Sequence, residues 1–202
     1  MTAASVRLDV FESADLRGEL TRLRPMRPDE APRFYQWTRD PDVAPWWAGV
    51  ASARTLEEFL ADWEPYYFDG SRPGLGRSFA IEADGKLIGM IATNRVEVHD
   101  RQTEIDIVIG EPGYRDRGYG TDALRATLRF LFDTVGLHRV WLATYEHNAR
   151  ARRAYEKAGF REEGLLRESD RVDGRWVNSV VYGILDHEFR RLCAAHPEPV
   201  EG

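Results

Sequence analysis

Short apolar and polar alternations dominate the first half of the chain. Residues 6–12, Val-Arg-Leu-Asp-Val-Phe-Glu, and residues 20–26 alternate, which predicts two strands joined by a turn over 13–18. Pro25 and Pro28 are expected to end the second strand, and Asp29 to cap a helix carrying Phe34, Tyr35 and Trp37. Thr55 is placed to cap a second helix over 56–63, followed by Pro65, Tyr66, Tyr67 and Phe68 and a glycine-rich connector over 70–76. Runs at 77–83 and 86–98 read as strands around Asp84-Gly85, a dipeptide that favours a tight hairpin turn, and 102–109 reads as the next strand.

Beyond residue 118 the period changes. Leu124, Leu128, Leu131 and Val135 recur at helical spacing with Ala123 and Thr127 beside them, while Arg125, Arg129 and Asp133 fall on the other face. Gly136-Leu137 ends this helix, and His138 to Tyr145 forms another strand. Asn148 is expected to cap a helix with Ala151, Ala154, Tyr155 and Ala158 on one face, with Gly159 as its stop. Residues 161–171 and 175–185 pair across Asp173-Gly174, and 187–195 forms a last helix before a frayed tail. The order predicts an α/β (α+β) fold: a mixed central sheet of about seven strands with flanking helices and one βαβ-like unit.

Length and charge narrow the functional classes. The 202 residues, 43% hydrophobic and 31% charged, suit one domain. A net charge of −6 with interleaved arginines argues against nucleic acid and leaves a cationic partner as the better match. Cys193 has no second thiol to pair with and reads as structural, which fits a reducing compartment, with the cytoplasm as the default. Arg7 and Asp9 interrupt the N-terminal segment, so no signal peptide is expected there, and no apolar run reaches the roughly 20 residues of a membrane span. His99 and His138 form no paired ligand pattern, so no metal is expected.

The candidate chemistry centres on the junction of the 102–109 strand with the following helix. The strand ends in Ile105-Asp106-Ile107-Val108-Ile109, and the helix is preceded by Arg115-Asp116-Arg117-Gly118-Tyr119-Gly120. Glycines allow successive backbone N–H groups to turn inward, and the helix start adds unpaired N–H groups and the positive end of its dipole. The product is an anion cradle to which Arg115 and Arg117 add charge. No Lys-Ser or Lys-Thr follows a Gly at P-loop spacing. A dinucleotide fingerprint fits loosely through Gly118, Gly120 and Ala123, but eight residues separate the strand from the first of these glycines.

Arg115, Gly118 and Gly120 fill the pyrophosphate-loop pattern of the GNAT superfamily of N-acetyltransferases, and the loop resembles it. A second stretch strengthens the resemblance: Asn148, Tyr155, Glu156, Lys157, Gly159 and Phe160 match the family's later motif at its spacing. The resemblance runs from about Leu20 to Phe189 and implies a single-domain GNAT fold over 20–190, an extension or extra hairpin over 1–19 and a tail over 191–202. It implies acetyl-CoA as co-substrate, in a cleft between the strand ending at Ile109 and the strand at 139–145. Its pyrophosphate would lie on Arg115, Asp116, Arg117, Gly118, Tyr119, Gly120 and Thr121, with Ile107, Val108, Ile109, Asn148, Tyr155 and Lys157 also in contact and the thioester near Tyr155.

Acyl transfer to an alkylamine of pKa ~10.4 needs a proton acceptor, and the departing thiolate, pKa ~8.5, is helped by a donor. Tyr155 is the candidate donor. Period two places Glu104 and Asp106 on one side of their strand, where they could hold a cation and relay its proton; the alternative is that both face Arg95 or Arg101. Asp106 is the preferred base, since it sits at the position where aminoglycoside 6′-N-acetyltransferases resemble this chain and carry an acid. Ribosomal-protein N-terminal acetyltransferases carry a Glu five residues before the motif's Asn; Ala143 stands there. The Asp40 to Trp47 loop resembles the tryptophan-bearing acceptor loop of the aminoglycoside branch, so Trp46 and Trp47 join Glu104 and Asp106 as acceptor candidates, with Trp63, Tyr66 and Tyr67 as a further aromatic wall or local packing. His147 is expected to be a surface histidine. The resemblance thus implies an N-acetyltransferase acting on a small cationic amine, aminoglycoside-like or polyamine-like. A protein N-terminus or lysine is the other acceptor, a CoA-binding sensor without turnover is the reading of another class, and a homodimer is a further expectation.

Overall fold

The computed structural model describes residues 6–47, 55–63, 68, 72 and 74–195. Its sheet has eight strands: β1 (Leu16–Arg17), β2 (Arg22–Pro25), β3 (Arg77–Ala83), β4 (Lys86–Thr93), β5 (Gln102–Ile109), β6 (Arg139–Tyr145), β7 (Arg161–Val172) and β8 (Arg175–Leu185), in the order β1-β2-β3-β4-β5-β6-β8-β7. Every neighbour pairing is antiparallel except that of β5 with β6. A parallel step needs a crossover, and α3 (Tyr119–Arg129) supplies it. The other helices are α1 (Ala31–Trp37), α2 (Leu56–Trp63), α4 (Ala149–Ala158) and α5 (Asp186–Ala195).

Two apolar clusters cover the two faces of the sheet. Phe79, Ile81, Ile91 and Ile105 point into one, with Leu124, Leu128 and Leu131 beyond α3's start and Phe189 of α5. Ala80, Met90, Ala92 and Val108 point into the other, with Phe34 and Trp37 of α1 and Phe59 of α2. The alternate residues of β3, β4 and β5 thus serve opposite layers, which is why these strands read as nearly continuous apolar runs.

Local signals in the sequence account for most element ends. Thr55 and Glu58 form a capping box at α2, with Glu58 N–H donating to Thr55 Oγ1 at 3.1 Å and Thr55 N–H to the Glu58 carboxylate at 3.0 Å. Asp84-Gly85 and Asp173-Gly174 both have two consecutive positive φ angles, the geometry of a tight hairpin turn.

The N-terminal segment departs from its pattern. Residues 6–12 form turns rather than a strand, with Arg7 N–H donating to Val135 O at 2.9 Å, and strand pairing begins at Leu16 inside the expected turn. Phe11 is nonetheless buried, because the alternation reflects side chains laid across the core by a non-extended chain. Asp29 lies within a 3-10 turn, Pro28–Glu30, and it is Glu30 that accepts the Arg27 N–H, at 2.9 Å. The strand expected over 86–98 stops at Thr93. After α3 the chain widens into a π-helical turn, Phe130–Val135, which carries Phe130, Leu131 and Phe132 consecutively into the core before Gly136 closes it at φ 85°. Tyr66, Tyr67 and Pro65 lie outside the described residues. Among the described residues no helix is long and apolar enough to cross a membrane.

Candidate active site

β5 and β6 are bonded to each other only from Gln102–Arg139 to Glu104–Trp141. Beyond that point they part, β5 remaining with β4 and β6 with β8, so among the described residues the facing edges of the two strands have no strand pairing with each other. Between them opens a cleft of about 1070 Å³ lined by Asp106 to Ile109 on one side and Ala143 to Tyr145 on the other. An extended group with its own amides can bond to such edges as an added strand does.

The far wall of the cleft is the start of α3. Gly118, its N-cap, has φ 92°, a left-handed conformation that lets the chain turn sharply into the helix and leaves the first-turn N–H groups facing outward. Asp122 fastens a second segment over this turn, its carboxylate accepting from Glu19 N–H (2.8 Å), Leu20 N–H (3.0 Å) and Thr21 Oγ1 (2.6 Å). Glu19 and Leu20 thereby join the lining.

Arg115 corrects an expectation. Its side chain, 7% exposed, donates to Asp40 at 2.7 Å, Asp42 at 3.2 Å and the carbonyls of Ile109 and Gly110, so it adds no free charge to the cradle. It instead ties the loop ahead of Trp46 to the end of β5. Asp40 is held below the usual carboxylate range by that guanidinium. Gly110 permits the same junction, since a Cβ there would lie 2.0 Å from the Trp37 ring. Arg117 is exposed and Tyr119 stacks edge-on against Tyr114 with centroids 5.1 Å apart, so neither side chain lines the cleft, while Asp116 does and lies 3.9 Å from Arg150. The basic lining comes from elsewhere: Arg115 aside, it is Arg125 of α3 and Arg150, Arg153 and Lys157 of α4. With Gly118, Gly120 and Thr121, these fit an anionic, amide-bearing group.

α4 presents the proposed acid. Asn148 caps it as expected, its Oδ1 accepting from Ala151 N–H at 3.2 Å and its Nδ2 donating to Thr144 Oγ1 at 3.0 Å, which fixes the direction of the amide. Gly159 closes the helix at φ 107°. Tyr155 is buried against Phe160 and Tyr182, yet it lines the cleft. Burial, with the facing charge of Asp106, drives its phenol far above the ordinary value of about 10, so the group keeps its proton and can act only as a donor.

Glu104 and Asp106 do lie together on the cleft side of β5. The arginines that could have neutralised them are engaged elsewhere: Arg95 with Glu97 at 3.3 Å, and Arg101 with Gly136 O at 2.8 Å. Asp106 instead receives Asn94 Nδ2 on its Oδ2 at 2.9 Å. Burial pushes both carboxyls upward, and for Glu104 the neighbouring Asp106 charge adds to the effect. Asp170 of β7 adds a third acid to the lining, delivered by an irregular register between Leu166 and Asp170 and held by Ser169 Oγ at 2.7 Å and Ser179 Oγ at 2.6 Å. Ala143 lines the cleft at the place of the absent Glu, while Glu146 is turned to Asn178 at 2.8 Å.

The tryptophans divide. Trp47 packs on Phe34 and Trp63, with centroids at 5.3 and 6.5 Å, so it serves the core as well as the lining. Trp46 reaches across to His147, centroids 5.3 Å apart, and His147 stacks on Tyr145 at 5.8 Å. Asn94, Asp122, Asp170 and this aromatic contact were not legible in the sequence; an Asn closing the strand beside an acidic alternation is the one signal that points to Asn94. Among the described residues no cluster of His, Cys, Asp and Glu is arranged to hold a metal ion.

Residues 21–161 match the sequence model of the Acetyltransferase (GNAT) domain. Among similar proteins, spermidine N(1)-acetyltransferase of Escherichia coli K12 is 25% identical over 179 residues, covering 88% of this chain and 91% of that protein. The putative ribosomal N-acetyltransferase YdaF of Bacillus subtilis is 30% identical over 140 residues, covering 69% and 74%. The fold is that of spermidine N-acetyltransferase from Vibrio cholerae in complex with CoA and spermine, with a TM-score of 0.75, 22% identity and coverage of 85% and 98%. On the extent of the family match, the chain belongs to the GNAT acetyltransferase family.

Proposed function

We propose that this acetyltransferase moves the acetyl group of acetyl-CoA to a primary amine of a small cationic molecule, polyamine-like or aminoglycoside-like, in the cleft between β5 and β6. The observation that carries the reading is the pair Glu104 and Asp106, set in the cleft with Tyr155, where Asp106 is bonded to a neutral amide rather than to an arginine. Bound acetyl-CoA would supply an acyl carbon activated as a thioester, with a thiol as leaving group. The facing edges of β5 and β6 would take its amides, and the α3 start with Arg125, Arg150, Arg153 and Lys157 its phosphates.

The chain's own groups divide the proton work. Asp106 takes the ammonium's proton, directly or through water, which frees the nitrogen lone pair to form the C–N bond. Once the C–N bond has formed the nitrogen loses its second proton to water, Tyr155 gives its proton to the sulfur as the C–S bond breaks, and the phenolate and the protonated Asp106 exchange with solvent, for a net release of one proton. Glu104 and Asp170 add negative charge for the remaining ammonium groups of the acceptor. The similarity to a putative ribosomal N-acetyltransferase favours a protein amine as the second reading, against which Ala143 stands where that branch carries a Glu. The lone thiol Cys193 fits a reducing cytoplasm.

The test is thiol release from acetyl-CoA against polyamines, aminoglycosides, lysine derivatives and peptides. Release with the small polycations, and little with neutral amines, is the expected result. Release only with peptides would move the reading to a protein acceptor, and acetyl-CoA binding without release for any amine would make the chain a sensor.

A further inference from the structure

Asn94 stands immediately after β4 and is gripped on both sides of its backbone by β5. Its N–H donates to Glu104 O at 2.8 Å, and its carbonyl accepts from Thr103 Oγ1 at 3.0 Å. With the backbone fixed, the side chain is turned towards the acids of β5: Nδ2 donates to Asp106 Oδ2 at 2.9 Å, and Glu104 lines the cleft beside it. A neutral carboxamide therefore holds the buried acid that shares its cleft face with a second carboxylate.

The choice of a neutral partner has a chemical consequence. An arginine or lysine at this place would hold Asp106 equally well, but it would satisfy its charge and depress its proton affinity. An amide holds the geometry and leaves the negative charge for an ammonium. Among the described residues, Oδ2 is the Asp106 oxygen that takes a protein donor, which leaves Oδ1 to the acceptor. The titratable groups facing Asp106 are Glu104 on its own strand and Tyr155 on α4.

We propose that Asn94 is a positioning residue for the acceptor amine, holding Asp106 by its Oδ2 so that Oδ1 receives the ammonium proton. The inference rests on the reading of Asp106 as the base. Burial raises the proton affinity of Asp106 and the Asn94 bond opposes that rise, so losing the bond moves its ionisation to higher pH.

The experiment is the pH dependence of kcat/KM for the best amine of the panel, in the wild-type protein, Asn94→Leu, Asn94→Asp and Asp106→Asn, with acetyl-CoA affinity measured in each. Asn94→Asp keeps the size of the side chain while replacing the donor by an acid, and thermal unfolding of each variant shows that it is folded. Both Asn94 variants are expected to move the acid limb upward, with a roughly tenfold lower rate at pH 6 that recovers at alkaline pH, and to leave acetyl-CoA affinity unchanged. An acid limb in its wild-type place in both variants, with Asp106→Asn inactive, would overturn the role of Asn94 alone. Wild-type turnover in Asp106→Asn would remove the base itself, and this inference with it.

Discussion

Burial moves Tyr155 and Asp106 the same way but with different consequences for their proposed roles: it strengthens Asp106 as a base and keeps Tyr155 protonated while weakening it as an acid. The Tyr155 phenol is pushed upward by burial and by Asp106, so it holds its proton until negative charge builds on the departing sulfur. Tyr155→Phe removes only the hydroxyl from a well-packed ring; kcat is expected to fall about 10²–10⁴-fold while calorimetry finds acetyl-CoA binding intact. Asp106 is raised by burial, which makes it a better proton acceptor than an exposed aspartate and a costlier residue to ionise in the folded state. The sign for stability follows. The folded chain binds the proton more tightly than the unfolded one, so stability is lost as pH rises from the ordinary value of 3.8 through the folded one. Asp106→Asn is therefore expected to raise Tm at neutral pH and to leave it near wild type at pH 3, as scanning calorimetry can read.

Among the elements, the junction of β5 with α3 carries the most connections. Arg115 joins it to the Asp40–Asp42 turn ahead of Trp46, so the loop proposed for the acceptor and the loop proposed for the phosphates share one guanidinium. Arg115→Met leaves Asp40 and two carbonyls without that donor, and a loss of about 1–3 kcal/mol in denaturant unfolding is expected. The acceptor KM should rise more than that for acetyl-CoA, because the backbone cradle does not use this side chain. Asn148→Ala removes a cap worth about 1 kcal/mol and frees Thr144 from its amide partner. Signals local to one turn, such as the Thr55–Glu58 box, the Asp-Gly hairpins and the Asn148 and Gly159 helix ends, were legible in the sequence, because each acts within a few residues. The 6–12 alternation misled because period two arises wherever a chain skims a core, extended or not. Asn94 and Asp122 stayed hidden for the opposite reason: their partners lie 12 and about 100 residues away, and only the sheet's register brings them together.

The whole molecule is a sheet pried open at one place. The parallel pairing of β5 and β6 ends after Glu104–Trp141, and the site occupies the gap, with acids supplied by strands and bases by α3 and α4. That the cleft exists was implied by the resemblance of its two motifs to a known family; that Glu104 and Asp106 have no cationic partner among the described residues came from the fold. Elsewhere the carboxylates run the other way. Glu30, where the bonds from Arg24 and the Arg27 N–H outweigh burial, and Asp40 beside Arg115 are held below their ordinary values. Their contribution is present above the unfolded values of about 4.5 and 3.8 and is lost as pH falls through the folded ones, so Tm is expected to drop steeply below about pH 4.

The most direct test of the central claim is the rate of N-acetylated product formation from acetyl-CoA and a small polyamine by the wild-type chain and by Asp106→Asn, followed by mass spectrometry. The account predicts product from the wild type and a rate about 10²–10⁴-fold lower in the variant, with acetyl-CoA still bound by both. Equal rates in the two proteins, or no product from any amine, would contradict it.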